Sequence, residues 1–186
     1  MRIVAGRHRG ARLEAPPGDT TRPTADRARQ ALFDTLTGGR FDIDLVDSAV
    51  LDVFAGTGAL GLEALSRGAA QAAFIEKDRA ALAALRHNIE HLKVENRCRV
   101  LAIDATRPGP ATGPHADIVL MDAPYRSGIA WPALAALDAA GWLAANVLIV
   151  IELAKDEAYD LPAGLTVLDD RRYGAARFVF LGRVPG

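Results

Sequence analysis

The chain has 186 residues, of which 50% are apolar and 24% charged, and this is the balance of a folded domain rather than of a disordered chain. The length predicts one domain with a real hydrophobic core. No apolar run approaches the roughly 20 residues that a membrane span needs, and no apolar segment follows the N-terminal arginines as a secretory signal would require. We therefore expect a cytoplasmic protein with no membrane partner.

The first thirty residues are basic, with seven arginines and no lysine against three acidic residues, although the whole chain has a net charge of −1. Guanidinium groups suit contacts with phosphate oxygens. From charge alone two interpretations stay open: a phosphate-binding arm that includes Arg7 and Arg9, or a solvated basic arm.

A helix is predicted after this arm, because apolar residues recur at four-residue spacing from Ala28 to Leu36 and follow Thr24, a residue type that caps helices. The predicted helix spans Thr24 to Leu36. The chain is accordingly divided into a basic arm at residues 1–23 and a main domain at residues 24–186.

From residue 49 onward, short continuous apolar runs alternate with helical patterns, which is typical of βαβ units. Such runs fit parallel strands covered on both faces, and the last two, joined near Gly174, predict an antiparallel hairpin. The fold class is therefore α/β, with a mostly parallel seven-stranded sheet, an antiparallel C-terminal hairpin strand and helices on both faces. The predicted strands are Ala49–Phe54, Ala72–Ile75, Arg99–Ile103, Asp117–Met121, Val147–Leu153, Leu165–Asp169 and Arg177–Leu181, and the helices between them are Ala59–Arg67, Asp78–Lys93 and Trp131–Ala140.

The sharpest local motif is a strand that runs into a glycine-rich turn and then a helix, from Asp52 to Gly61. Glycines let a ligand approach the backbone closely, and the following helix N-terminus offers unpaired N–H groups. The motif predicts a nucleotide-type cofactor site. Taken alone it fits a dinucleotide equally well.

Acidic residues at strand ends favour S-adenosyl-L-methionine as the cofactor. Asp52 precedes the turn, where a carboxylate attracts the cationic methionine end of this ligand and disfavours a pyrophosphate. Glu76 ends the next strand, where a carboxylate can bond ribose hydroxyls, and Asp104 ends the third, near the expected adenine, although either alone is ordinary strand-end polarity. Ligands of such sheets bind at the carboxyl ends of the strands. The candidate cofactor residues are Asp52, Phe54, Ala55, Gly56, Thr57, Gly58, Glu76, Lys77, Asp104, Ala105 and Asp122.

The tetrapeptide Asp122-Ala123-Pro124-Tyr125 closes the fourth strand and points to the reaction type. The lone pair of an exocyclic base amine is delocalised into the ring, so an enzyme must hold its N–H groups with acceptors and aim the nitrogen at the methyl donor. The Asp122 carboxylate and the Ala123 carbonyl can accept, and Tyr125 can stack on the base. The alternative is a structural turn in which Pro124 ends the strand. Because the cofactor motif lies upstream at the matching strand order, we favour the amine-binding interpretation, with all four residues as candidate catalytic residues.

No metal site is predicted. His87 and His91 share a helical face without a third ligand nearby, and Cys98 is the single cysteine, so neither a zinc-ligand set nor an internal disulfide follows. Cys98 is expected to be a small core residue. We see no oligomerisation pattern and expect a monomer.

The chain resembles the bacterial RsmD family, Rossmann-like methyltransferases that modify N2 of a guanine in small-subunit ribosomal RNA. The resemblance covers nearly the whole chain, and the N-terminal motifs separate this family from relatives that share the glycine turn. One departure is Ala123, where the family usually has the first proline of Asp-Pro-Pro-Tyr; alanine keeps the carbonyl but loses some rigidity. The motifs are Met1-Arg2-Ile3-Val4-Ala5-Gly6 with Arg9-Gly10, the segment from Thr21 to Phe33, the glycine turn, and Tyr173-Gly174.

The resemblance implies methyl transfer from S-adenosyl-L-methionine to guanine N2 in 16S ribosomal RNA or an assembling small subunit, with S-adenosyl-L-homocysteine as product. The arm and the Arg22 region would face the RNA backbone while one guanine is extruded into the pocket. The alternatives are adenine N6 or protein glutamine as acceptor, and a catalytically idle RNA-binding relative. Of these, the arginine arm and Asp122 disfavour protein glutamine. The candidate RNA-binding residues are Arg7, Arg9, Arg22, Thr24 and Arg27.

Overall fold

The computed structural model describes residues 1–16 and 23–184, without the side chains of residues 23–25. The elements in chain order are α1 (Pro23–Leu36), β1 (Ala49–Val53), α2 (Ala59–Ser66), β2 (Gln71–Ile75), α3 (Arg79–Leu92), a short 3-10 helix (Glu95–Arg97), β3 (Cys98–Leu101), β4 (Ala116–Met121), α4 (Ala130–Ala139), β5 (Leu143–Ala154), β6 (Leu165–Tyr173) and β7 (Ala176–Arg183).

The strands form one seven-stranded sheet in the order β3-β2-β1-β4-β5-β7-β6. Strands β1 to β5 pair in parallel, and β7 runs antiparallel to both of its neighbours. The predicted α/β sheet with an antiparallel C-terminal hairpin is confirmed.

Most predicted boundaries differ from the structure by one or two residues, and the larger or more informative differences are in α1, β5 and β6. Helix α1 begins at Pro23, a residue whose fixed φ suits the first helical position, so Thr24 lies inside the helix and does not precede it as a cap. Strand β5 begins earlier than predicted, at Leu143, and β6 continues to Tyr173. The added residues of β6 are largely polar, because an edge strand needs ladder hydrogen bonds but not burial on both faces.

Two apolar clusters lie on opposite faces of the sheet. One joins α1, α2 and α3 to strand residues such as Val50 and Ile118. The other packs α4 and Trp142 against the alternate residues, such as Leu51 and Val119. Because side chains alternate along a strand, consecutive apolar residues supply both clusters, and helices on both faces follow as predicted. Within the described residues, no helix combines the length and apolar character needed to cross a membrane.

The N-terminal residues form a hairpin, defined here as residues 1–13. Arg2 and Arg12 pair across it in an antiparallel bridge, and the Ile3 N–H donates to the Ala11 carbonyl at 2.9 Å. The side chains of Ile3 and Leu13 are buried in the same cluster as α1, α2 and α3. The basic arm is thus packed on the main domain, and its boundary at residue 23 stays a prediction.

Helix α2 holds the hairpin through polar groups. The buried Glu63 carboxylate accepts hydrogen bonds from the backbone N–H groups of Val4 at 2.8 Å and Ala5 at 3.0 Å. Gly6 follows with φ of 77°, and a Cβ at this position would lie 1.9 Å from the Ser66 carbonyl oxygen. The hairpin therefore reaches the last residue of α2 at a distance that only glycine permits.

We predict that Gly6→Ala lowers the free energy of unfolding by about 3 kcal/mol or more, because it adds a backbone clash to an unfavourable φ. Gly10→Ala is the matched control: Gly10 has φ of 87°, but a Cβ there would meet no atom within 4 Å, so only the conformational cost of about 1 to 2 kcal/mol is expected. Denaturant unfolding of both variants measures the difference. Equal destabilisation would contradict close packing of the hairpin on α2.

Candidate active site

The glycine turn follows β1 and contains two kinds of glycine. Gly56 has φ of 55°, and a Cβ there would meet nothing nearer than the Phe54 carbonyl oxygen at 4.0 Å. Gly58 has φ of 80°, and its Cβ would lie 2.4 Å from Leu85 Cδ1. Gly58 is therefore required for packing α2 on α3, whereas Gly56 leaves open space where a ligand can approach the backbone.

Asp52 lies beneath this turn. Its side chain is 1% exposed, and Oδ2 accepts a hydrogen bond from the Gly61 backbone N–H in the first turn of α2 at 2.8 Å. Burial raises the pKa of Asp52 well above its usual range, and the bond from Gly61 acts in the opposite direction. The carboxylate thus binds the N-terminal turn of α2, and its role toward a cofactor stays a prediction.

A cleft of about 700 Å³ lies at the carboxyl ends of the parallel strands β1 to β5. This volume falls within the roughly 300 to 1,000 Å³ of typical small-molecule sites, and the location is the usual one in such sheets. Its apolar walls are Phe54, Ile75, Ile103, Ala105 and Ile129, and its acidic lining residues are Glu76, Asp78, Asp122 and Glu152.

Glu76 is oriented by backbone N–H groups. Its Oε2 accepts from Gly56 at 2.8 Å, and its Oε1 accepts from Lys77 and Asp78, each at 2.8 Å. A carboxylate has about four acceptor sites, so about one remains for a ligand hydroxyl. The glycine turn and the end of β2 therefore share one carboxylate that faces the cleft.

Asp104 is turned toward neighbouring polar groups. Its Oδ2 lies 2.9 Å from Lys77 Nζ, and its Oδ1 accepts from the Thr106 N–H at 2.9 Å and hydroxyl at 2.8 Å. The Lys77 hydrogen bond, followed by those of Thr106, holds the pKa of Asp104 far below its usual range. The cleft wall at this strand end is formed by Ile103 and Ala105 instead.

Asp122 stands at the end of β4 with its backbone N–H bonded to the Val53 carbonyl at 3.3 Å. Its side chain lines the cleft without a hydrogen-bond partner among the described residues. Although the residue is open to solvent through the cleft, the surrounding protein and then the negative charge of Glu152 raise the pKa of Asp122 to about 8. Asp122 is therefore mostly protonated at neutral pH in the protein alone, and its ionised form is a stronger base than an ordinary aspartate.

Tyr125 is 48% exposed, and its hydroxyl donates to Glu152 Oε1 at 2.5 Å. Burial and this bond raise the pKa of Tyr125. One edge of the ring is thereby fixed to β5 while a large part of the ring stays accessible for stacking. Glu152 was not predicted from sequence, although an acidic residue within the apolar run Val147–Leu153 is the kind of exception that marks a site.

The structure brings about half of the predicted site residues together in the cleft, and their individual roles stay predictions. The predicted residues that line it are Phe54, Glu76, Lys77, Ala105, Asp122, Ala123, Pro124 and Tyr125. The predicted residues outside the lining are Asp52, Ala55, Gly56, Thr57, Gly58 and Asp104. The lining residues that sequence reasoning missed are Ile75, Asp78, Ile103, Ser127, Ile129 and Glu152.

Two predicted RNA-binding residues lie at the tip of the hairpin. Arg7 and Arg9 are exposed, and the Arg7 backbone N–H bonds the Ser66 carbonyl at 2.7 Å. Ser66 ends the eight-residue helix α2, whose length of about 12 Å separates it from the glycine turn. The hairpin tip and the glycine turn therefore lie at opposite ends of α2.

The other predicted RNA-binding residues lie outside the hairpin. Arg27 is exposed on α1, whereas Arg22 and the side chain of Thr24 lie outside the described residues. Arg29, one of the seven arginines near the N-terminus, is only 5% exposed and pairs with Asp26 at 2.8 Å. Arg29 thus serves the fold and does not face a phosphate.

Neither the histidines nor the cysteine form a reactive cluster. His87 and His91 are exposed with their rings 6.3 Å apart, and the described part of the chain holds no group of three His, Cys, Asp or Glu side chains placed for a metal. Cys98 is half-buried against the first apolar cluster, and burial raises its pKa to about 12.

Residues 1–182 match the family model described as Conserved hypothetical protein 95. The chain belongs to this family. It is 42% identical to ribosomal RNA small subunit methyltransferase D of Escherichia coli over 152 residues, which are 82% of this chain and 74% of that protein.

Two further comparisons cover almost the whole chain. The protein of the same name from Haemophilus influenzae is 34% identical over 182 residues, which are 96% of this chain and 91% of that protein. The solved structure of yhhF, described as a methyltransferase from Escherichia coli, has a TM-score of 0.82 at 36% identity and covers 98% of this chain and 97% of that chain. This chain is thus a methyltransferase of Rossmann-like fold, and its resemblance to the RsmD family is confirmed.

We predict that Glu76→Ala weakens binding of S-adenosyl-L-homocysteine about tenfold to a hundredfold, because loss of hydrogen bonds to a charged group typically costs about 1.5 to 3 kcal/mol. The variant also leaves the Gly56 N–H without its acceptor. Calorimetric titration measures the affinity, and Glu90→Ala, at an exposed position on α3, is the control. An unchanged affinity in the Glu76 variant would remove this residue from the cofactor site.

Proposed function

We propose that this chain transfers a methyl group from S-adenosyl-L-methionine to the exocyclic N2 amine of a guanine in small-subunit (16S) ribosomal RNA. The observation that carries the proposal is the cleft, in which the acceptor Asp122 and the half-exposed Tyr125 lie beside Phe54 and Glu76. A cofactor site and a base site therefore share one space. The relatives named small subunit methyltransferase D support ribosomal RNA as the substrate.

The residues of the cleft fit the cofactor. Glu76 is preorganised for a hydroxyl, Gly56 leaves the backbone open, and Ile103 with Ala105 offers apolar contact for a flat base. The excess of carboxylates suits a ligand that carries positive charge. When bound, the cofactor supplies an electrophilic methyl group on a sulfonium.

Residues of this chain bind the acceptor base and accept the proton that its amine loses. Tyr125 offers a ring face for an extruded base, while the Asp122 carboxylate and the Ala123 carbonyl accept from the N2 amine and aim its nitrogen at the methyl group. As the nitrogen–carbon bond forms and the sulfur–carbon bond breaks, the amine becomes positive and must lose a proton. When Asp122 is ionised, its carboxylate takes that proton and passes it to solvent, and the raised pKa of Asp122 makes the carboxylate a stronger base for this step.

The exposed hairpin arginines suit RNA phosphates, and the relatives' names favour methylation of ribosomal RNA over protein glutamine or an idle RNA-binding relative. The choice of guanine N2 over adenine N6 rests on the resemblance to the RsmD family. This substrate is consistent with a cytoplasmic reaction. We also propose that the protein acts as a monomer.

The direct test is incubation with labelled S-adenosyl-L-methionine and either small ribosomal subunits or deproteinised 16S RNA from cells that lack the enzyme. We expect label at one guanine N2, located by mapping of the modified nucleotide. Label on adenine or on ribosomal protein would contradict the proposal, and the absence of label from both substrates would favour an idle relative.

We predict that Asp122→Ala lowers the single-turnover rate of methyl transfer by about a hundredfold or more, on the scale of removing one preorganised electrostatic partner. The same variant should lose much less affinity for S-adenosyl-L-homocysteine than activity, because the carboxylate acts mainly on the acceptor amine. Asp122→Asn is the matched control for shape and should lose most of the activity as well, since the amide cannot take the proton. A wild-type rate in Asp122→Ala would make the tetrapeptide a structural turn.

We predict that the double change Arg7→Gln and Arg9→Gln weakens RNA binding and reduces the slope of log affinity against log salt by roughly 1 to 2, since each phosphate contact contributes about 0.7 to 0.9. Cofactor affinity should not change. The double variant Arg86→Gln and Arg107→Gln removes the same charge from other exposed positions. If both double variants change the slope equally, the hairpin has no special role and the arm is a solvated charge cluster.

A further inference from the structure

Glu152 and Asp122 occupy equivalent positions on neighbouring strands. Met121 of β4 pairs with Ile151 of β5 in parallel register, so the next residue of each chain segment lies beside the other at the sheet edge. Side chains at equivalent positions of adjacent parallel strands point to the same face. Both carboxylates accordingly line the same end of the cleft.

The Glu152 carboxylate is only partly used by the fold. Its Oε1 accepts from the Tyr125 hydroxyl at 2.5 Å, and its Oε2 has no hydrogen-bond partner in the described part of the chain. Burial raises the pKa of Glu152, and the charge of Glu152 adds to burial in raising that of Asp122. A ligand that donates a hydrogen bond to each of two such adjacent carboxylates stabilises the ionised form of both.

We infer that Glu152 selects guanine by accepting a hydrogen bond from its N1–H while Asp122 holds the N2 amine. The inference rests on the proposed function. The Watson–Crick edge of guanine carries the N1–H and N2–H donors side by side, and ionised carboxylates only accept. Adenine presents one amine next to the N1 lone pair, which an ionised second carboxylate repels. The pair of acceptors thereby favours guanine both by attraction and by repulsion of the competitor.

The test uses RNA fragments that contain the mapped target position, carrying either guanosine or 2,6-diaminopurine riboside. The analogue keeps the N2 amine but has a lone pair at N1. We expect the wild-type protein to methylate guanosine at least about a hundredfold faster in single-turnover reactions, because a site built to bond an N–H strongly rejects an analogue that lacks it. Glu152→Gln should reduce this preference at least about tenfold, mainly by slowing the reaction of guanosine.

Two control variants separate recognition from support of the loop. Glu157 accepts from the backbone N–H groups of Arg126 at 3.0 Å and Ala154 at 3.1 Å but does not line the cleft, so Glu157→Gln should keep the preference. Tyr125→Phe removes the hydroxyl that binds Glu152 and leaves the carboxylate, so it should keep the preference as well. If Tyr125→Phe lowers the preference as much as Glu152→Gln, then Glu152 acts through Tyr125 and the inference is overturned.

A binding measurement tests whether Glu152 recognises the N1–H without requiring methyl transfer. RNA with inosine at the target position retains N1–H and lacks the amine, so the wild type should bind it more tightly than RNA with adenosine there, and Glu152→Gln should lose this difference.

Titration with S-adenosyl-L-homocysteine shows whether each variant is folded. A wild-type protein that methylates 2,6-diaminopurine as fast as guanosine overturns the inference even if Glu152→Gln does not fold, whereas a wild type that methylates no guanine contradicts the proposed function itself.

Discussion

The buried carboxylate of Glu63 connects three parts of the molecule that carry the site. It accepts from the backbone of Val4 and Ala5 in the hairpin and from Arg67 Nε at 2.8 Å, and it lies 3.8 Å from Arg29 Nε of α1. The side chain has no solvent exposure, so removal of its partners would leave a charge that costs several kcal/mol. Because α2 begins at the glycine turn, fixing this helix also fixes the turn.

A second buried side chain ties the same turn to the chain that leaves the hairpin. The Asn88 amide of α3 donates to the carbonyls of Thr57 and Glu14, both at 3.0 Å, and its oxygen accepts from the Glu14 N–H at 2.7 Å. Asn88 is fully buried. The inner face of the N-terminal segment therefore supports the glycine turn, while its outer face leaves arginines exposed, for which we propose contacts with RNA phosphates.

The sequence predicted most of the sheet but only part of the site, for reasons that particular residues show. Strands covered on both faces give continuous apolar runs, so β1 to β5 were found, whereas the polar end of β6 is stabilised by ladder bonds and ion pairs such as Arg177 to Asp170 at 2.5 Å. A strand-end carboxylate can face the cleft, as Glu76 does, or the helix above it, as Asp52 does, and this choice depends on packing. The structural role of Glu63 could not be predicted from the sequence, because the two backbone N–H groups that it binds lie 58 and 59 residues away along the chain.

The loss of proline at position 123 is compensated by the contacts around the tetrapeptide. Ala123 itself is 6% exposed and belongs to the second apolar cluster. The preceding residue is bonded to Val53, Ser127 N–H bonds the Pro124 carbonyl at 3.2 Å, and Tyr125 is bound to Glu152. With the backbone held on both sides, the direction of the Ala123 carbonyl does not depend on a pyrrolidine ring. Alanine then costs mainly the greater freedom of the unfolded chain, about 0.4 to 1 kcal/mol, and leaves the acceptor that the proposed reaction uses in place.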